Sequence, residues 1–251
     1  MNTIVTVIFF IYGLVFGSFF NVVGLRVPNG TLFAQTRSYC DTCQRTLTWK
    51  ELIPVWSFLR QRGRCRQCKE KISLLYPIME LTTGLLAAFT YYRYGFSEQT
   101  LLGILLIALI IPLTVSDIAY RKIPNKMLLF FTPLFVVLRL FNPQPSFWAS
   151  LLGTVLAFSL VFVIILLSNG GMGAGDLKYF TLLGFIFGPA LFLLLFFLAT
   201  LYGAIMGMIL MRLKKGNRKM TIPFGPYIGL AALTVFYFGE TILQWYLSFL
   251  S

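Results

Sequence analysis

The chain has 251 residues, 58% of them hydrophobic and only 12% charged, with a net charge of +13. Soluble domains carry about 25% charged residues, so a water-exposed globule is excluded and lipid is the solvent this composition calls for. There is no histidine, which removes Ser-His-Asp triads, histidine acid–base catalysis and histidine metal ligands.

Apolar runs of helical length recur along the chain. The pattern predicts spans at 3–25, 74–94, 99–119, 126–141, 147–168, 177–188, 189–211 and 223–249. A full crossing takes about 20 apolar residues, so the runs at 126–141 and 177–188 are short. Pro189 after Gly188 favours a break between the sixth and seventh runs. The first run follows Met1-Asn2-Thr3, with neither a basic lead nor a small-residue cleavage site, and reads as a retained span. The fold expected is an all-α polytopic membrane protein with six to eight transmembrane helices and a small cytoplasmic loop domain. Three regions follow: a first transmembrane helix at 1–25, a basic loop domain at 26–73 and a transmembrane core at 74–251.

The 26–73 loop holds ten Lys or Arg against three acids. A second basic run, Arg212 to Lys219, has five cations. The positive-inside rule puts both in the cytoplasm, and an eight-span count keeps them there together with Arg121-Lys122 and the glycine-rich segment before Lys178. The +13 charge therefore reads as topology-setting loop charge, with lipid as partner and no direct nucleic-acid partner.

All four cysteines lie in the 26–73 loop, as Cys40-x-x-Cys43 and Cys65-x-x-Cys68. Each pair offers two thiolates from one tight knuckle, and two knuckles complete a tetrahedral sulfur shell suited to zinc. Two disulfides or unconnected thiols are the other readings, and a cytoplasmic site disfavours disulfides. Four sulfur ligands leave no open position, so the zinc would be structural and would fold a loop too small for its own core. The inner stretch Leu47 to Leu59 is apolar enough to lie on the membrane or cover an active site.

The chain has only eight acids. Asp117 closes the uncharged run from Leu101 to Ser116, and Asp176 ends the glycine-rich Gly170-Gly171-Met172-Gly173-Ala174-Gly175. Carboxylates beside spans are costly and point to function. The expected topology puts both at the cytoplasmic edge. Two facing carboxylates can share a proton, one activating water and the other donating to the scissile carbonyl, which is aspartyl-protease chemistry. Taken singly, Asp176 could be a helix cap and Asp117 an interfacial partner of Arg121 or Lys122. A helix N-terminus favours a charged carboxylate and a C-terminus a neutral one, so Asp176 is expected as the base and Asp117 as the proton donor.

These segments together resemble the type IV prepilin peptidases. Gly17-Ser18-Phe19-Phe20-Asn21-Val22 with Arg26 and Pro28 is similar to their N-terminal signature. The cysteines, with Leu52-Ile53-Pro54 and Arg62-Gly63-Arg64-Cys65-Arg66, resemble their cytoplasmic domain, and Tyr76-Pro77 and Glu80 follow in order. Asp117 with Ile123-Pro124-Asn125, Gly173-Ala174-Gly175-Asp176-Leu177-Lys178 and Pro223-Phe224-Gly225-Pro226 match later segments. One departure is Asp41-Thr42 inside the first cysteine pair, where many relatives have proline after the cysteine. The compact length resembles Gram-positive late-competence members.

The resemblance implies a multi-pass enzyme of the bacterial cell membrane. It would cleave the short basic leader of prepilins or pseudopilins at the cytoplasmic face. Asp117 and Asp176 would be catalytic, with Gly173, Gly175 and Lys178 shaping the catalytic loop. Glu80 is a candidate for gripping the substrate's amino terminus, or a helix-start carboxylate pairing a loop arginine. S-adenosylmethionine-dependent N-methylation is implied by the resemblance alone. Two rivals share the aspartates: a presenilin-like intramembrane protease with other substrates, and a non-enzymatic transporter or assembly scaffold that uses buried acids for protons or cations.

Overall fold

The computed structural model describes residues 2–33, 37–40, 42–141, 145–168, 171–213 and 222–249. Asp41, Gly170 and the lysines and arginine at 214–219 lie outside the described residues. Among the described residues the chain is helical, with two isolated bridges in the cysteine loop and no strand. It divides into two compact units, Met1–Ala119 and Tyr120–Ser251.

The first unit holds α1 (Thr3–Arg26), a short α2 (Trp56–Arg60) inside the cysteine loop, α3 (Leu75–Tyr94) and most of α4 (Glu98–Tyr120). α1 runs without a charge until Arg26, and Pro28 with Gly30 at φ +70 then turns the chain out of the helix. Lipid gives apolar helices no hydrophobic reason to pair, so close backbone contact must do it. Gly13 and Gly17, one turn apart, provide that contact. A Cβ on Gly13 would lie 2.7 Å from the Gly84 Cα, and one on Gly17 2.8 Å from the Glu80 Cα. α1 and α3 therefore meet backbone to backbone. Asn21 Nδ2 adds a hydrogen bond to the Tyr76 carbonyl at 3.2 Å. Gly24 makes a second close approach, to the Pro112 carbonyl of α4.

The second unit holds α5 (Asn125–Phe141), α6 (Phe147–Leu167), α7 (Ala174–Leu213) and α8 (Gly225–Ser248). α7 counts 40 residues but is broken at Gly188, with φ 72 and ψ 177, a conformation open essentially to glycine alone. The break reverses the chain. Phe180 lies 6.1 Å from Phe192 and 5.3 Å from Phe196, ring centre to ring centre. In a continuous helix, 16 residues would separate the last pair by about 24 Å. Residues 174–187 and 189–213 are thus two antiparallel limbs joined without a loop, as Gly188-Pro189 predicts. Breaking a helix frees carbonyls that lipid cannot satisfy. The buried Arg139 of α5 donates to one of them, the carbonyl of Ile186. Gly153 of α6 seats on the turn: a Cβ there would strike the Gly184 carbonyl and come within 2.8 Å of the Gly188 Cα.

Among the described residues, five helices are long and apolar enough to cross a membrane: Thr3–Asn29, Glu98–Tyr120, Phe147–Leu167, Ala174–Arg212 and Gly225–Ser248. α3 spans 20 residues with Glu80 and Arg93 inside it, and α5 spans 17. The spans predicted at 74–94 and 126–141 are helices over nearly the same residues.

Candidate active site and metal centre

The cysteines are brought together by two matched knuckles. Cys40 N–H donates to the Arg45 carbonyl at 2.9 Å and Gln44 N–H to the Cys40 carbonyl at 2.9 Å. Cys65 N–H donates to the Glu70 carbonyl at 2.9 Å and Lys69 N–H to the Cys65 carbonyl at 3.1 Å. Gln44 and Lys69, each just after its second cysteine, both take positive φ, 56 and 61. The same local fold occurs twice, once around each pair. The four sulfurs lie within 4.8 Å of one another, with Cys40 to Cys68 at 3.7 Å and Cys43 to Cys65 at 4.0 Å. A tetrahedron with zinc–sulfur bonds of about 2.3 Å has edges of about 3.8 Å, so the cluster fits zinc. Hydrogen bonds from the Cys68 and then the Gln67 backbone bring the Cys65 thiol down to about 6, and the Cys43 and Thr42 backbone lowers Cys40. At Cys68 the Glu70 backbone pulls the same way, but burial and the neighbouring sulfurs outweigh it and push that thiol up to about 12.

Glu51 ties the knuckles together. Its carboxylate accepts from Arg45 at 2.6 and 3.1 Å and from the N–H and hydroxyl of Thr48 at 3.0 and 2.9 Å. Arg66 Nε stands 3.8 Å away. The Arg45 guanidinium, and then the Thr48 donors, hold the Glu51 carboxyl at about 2 against the effect of burial. Arg45 is also part of the first knuckle, where its carbonyl accepts the Cys40 N–H. A chain of contacts therefore runs from Glu51 through Arg45 to the backbone of a metal-site cysteine, the kind of outer support that orients ligands. Sequence reading passed over Glu51, although Thr48-x-x-Glu51 has the spacing of a capping box.

Glu80 is buried in α3 and accepts a 2.7 Å hydrogen bond from the Val55 N–H. Its backbone lies against Gly17 of α1. Its loop partner is thus a backbone amide, not a guanidinium. Val55 takes φ 59, strained for a β-branched residue, and that turn aims its N–H at Glu80.

Asp117 is buried one turn before the end of α4, among the fully enclosed Val115 and Ser116. Arg121, at φ 55, ends the helix. In the second unit, Asp176 is half-buried in the first turn of α7, and its Oδ2 accepts the Gly173 N–H at 3.1 Å. A Cβ on Gly175 would sit 3.0 Å from that of Ile123, so the segment after α4 packs on the Gly175 turn. Lys178 Nζ donates to Asn125 Oδ1 at 3.0 Å, a pairing the sequence did not reveal. Of the other described acids, Glu70, Glu98 and Glu240 are exposed.

Residues 11–94 match the Bacterial Peptidase A24 N-terminal domain and residues 104–208 the Type IV leader peptidase family. The chain is 37% identical to a prepilin leader peptidase/N-methyltransferase of Bacillus subtilis (strain 168), over 96% of this chain and 97% of that protein. The chain belongs to the type IV leader peptidase family. Proteins of the same name from Aeromonas hydrophila (32% identical, covering 95% of this chain and 92% of the relative) and Neisseria gonorrhoeae (31%, 95% and 93%) are further members. No solved structure matches the chain. Family membership makes the chain a peptidase and places the cysteine loop within the N-terminal domain and both aspartates within the leader peptidase domain.

Proposed function

We propose that this peptidase is a membrane aspartyl endopeptidase that removes the basic leader of prepilins or pseudopilins at the cytoplasmic face, with Asp117 and Asp176 as its dyad. The carrying observation is the allocation of buried carboxylates. Three are buried among the described residues, Glu51, Glu80 and Asp117. The first two hold the cysteine loop together and to α3; Asp117 is the buried carboxylate that lies in the leader peptidase domain. Asp176 supports the reading from the other unit, because a glycine turn presents it at the start of α7 and the Gly173 N–H donates to it.

In this mechanism Asp176, at a helix N-terminus, takes a proton from the attacking water. Asp117, near a helix C-terminus, donates to the scissile carbonyl oxygen; as the resulting gem-diol collapses, Asp117 takes a proton back from a diol hydroxyl and Asp176 gives its proton to the leaving amine, which restores the pair. Gly173 keeps the backbone bare beside the Asp176 carboxylate, Gly175 lets the Ile123 segment seat on the same turn, and Lys178 holds Asn125 beside it. Zinc, when bound, supplies folding of the 26–73 loop and no step of the reaction. The names of the relatives extend the reading to N-methylation of the new amino terminus with S-adenosylmethionine as donor.

The test is cleavage of a prepilin-like substrate by the reconstituted protein. Asp117→Asn and Asp176→Asn should each lower turnover by about 10³-fold or more while the variants keep the helical content of the parent. Normal cleavage by either variant removes the aspartyl mechanism. Labelled S-adenosylmethionine in the same assay tests methyl transfer, which should persist in both variants on substrate that already lacks its leader.

A further inference from the structure

The segment 49–60 carries a set of features that peptide hydrolysis does not use. Trp49, Leu52, Trp56 and Leu59 are 71%, 43%, 58% and 63% exposed. Trp56 and Leu59 lie three apart on α2, hence on one face, and Trp49 and Leu52 repeat that spacing seven residues earlier in the chain. Lys50 lies over the Trp49 ring at 5.4 Å, and Arg60, Arg62 and Arg64 follow, all exposed.

The depth of this segment is fixed by contacts within the first unit. Val55 donates to Glu80, five residues into α3 and so about 8 Å along its axis from Leu75. The Glu80 backbone in turn lies against Gly17, about 14 Å back from the end of α1. The middle of the segment is therefore held beside the shafts of two helices, below their ends, with aromatic and leucine side chains turned outward. Tryptophan favours the boundary between headgroups and acyl chains, and an interfacial helix seats its apolar face about 5–10 Å into that boundary. The flanking cations complement phosphate headgroups, with each cation near an anionic surface attracted to it.

We propose that residues 49–60 are an interfacial anchor: Trp49, Leu52, Trp56 and Leu59 enter the lipid boundary, and Lys50, Arg60 and Arg62 engage anionic headgroups. The anchor holds the metal-binding loop flat on the bilayer, and its occupant is the anionic leaflet. A basic prepilin leader does not suit the same surface, because like charges would face one another.

The experiment uses the full chain in vesicles of brominated phosphatidylcholine with phosphatidylglycerol. The chain has four tryptophans. Trp148→Phe and Trp245→Phe leave Trp49 and Trp56 as reporters without touching the anchor. With no substrate present, emission should be blue-shifted, strongly quenched by bromines high on the acyl chains, and shielded from aqueous iodide. Replacing phosphatidylglycerol with phosphatidylcholine, or Lys50, Arg60 and Arg62 with Gln, should weaken the bromine quenching. Free quenching by iodide would overturn the proposal, since the segment would then stand in water. So would bromine quenching that a prepilin-like peptide relieves, or quenching indifferent to headgroup charge; the first would make the surface a substrate groove.

Discussion

Glu51 lies at the hub of the cysteine loop although it touches no sulfur. It fixes Arg45, and the Arg45 carbonyl holds the Cys40 N–H. Glu51→Gln keeps the shape but removes the charge that holds the guanidinium, and should lower zinc affinity by about 10–100-fold, read by chelator competition. The pH dependence has a definite sign. The Glu51 carboxyl is depressed from 4.5 to about 2, so its contribution is complete above the unfolded value and is lost only as pH falls toward 2. The gap between wild type and variant should therefore stay flat from about pH 5 to about 8; a gap that closes across that range would mean Glu51 acts through another group. Such residues were hard to read from sequence because their role depends on partners at positions 45, 48 and 66, which only the folded knuckles bring together. The cysteines were legible because a metal shell imposes local spacing. Glu80 was legible as a carboxylate near a helix start, but its burial was not, and its partner is a backbone amide on a strained turn, which carries no sequence signal.

At the scale of elements, the apolar runs located the helices because lipid allows few other structures. Their pairing was less visible. The α1–α3 seam follows from Gly13 and Gly17 at one-turn spacing, while Gly153 of α6 gives no such repeat. Its importance comes from what it faces, the carbonyl of Gly184 and the backbone of Gly188. Gly153→Val must push backbone rather than a flexible side chain, and should cost about 3 kcal/mol. Thermal unfolding in detergent should show this as a lowered midpoint, with the zinc content unchanged. An unchanged midpoint would mean that α6 does not seat on the α7 turn. The position of Asp176 was also legible: a glycine turn before an apolar run predicts a helix start, and the structure has one at Ala174.

At the scale of the whole molecule, the peptidase combines a lipid-embedded helical body with a small domain that lacks an apolar core of its own. In the loop, zinc held by the four cysteines would take the place of such a core. Purified protein should contain about one zinc per chain. Stripping it with a strong chelator should open residues 37–73 to proteolysis while leaving the α6–α8 helices protected. A chain that stays closed after metal removal would rule out the structural role. The family was legible because ordered motifs cover nearly all of the sequence, whereas the reversal inside α7 rested on two residues. That reversal also bears on how the chain enters the membrane. Between Lys178 and Arg212 there is no charged residue, so nothing polar tells the insertion machinery where one crossing ends and the next begins. Gly188-Pro189 alone encodes the about-face. Replacing both with Leu should let residues 177–211 insert as a single crossing, which would invert the sidedness of α8 and move the basic 214–219 run to the opposite face, a change that glycosylation or cysteine-labelling tags in that run would report.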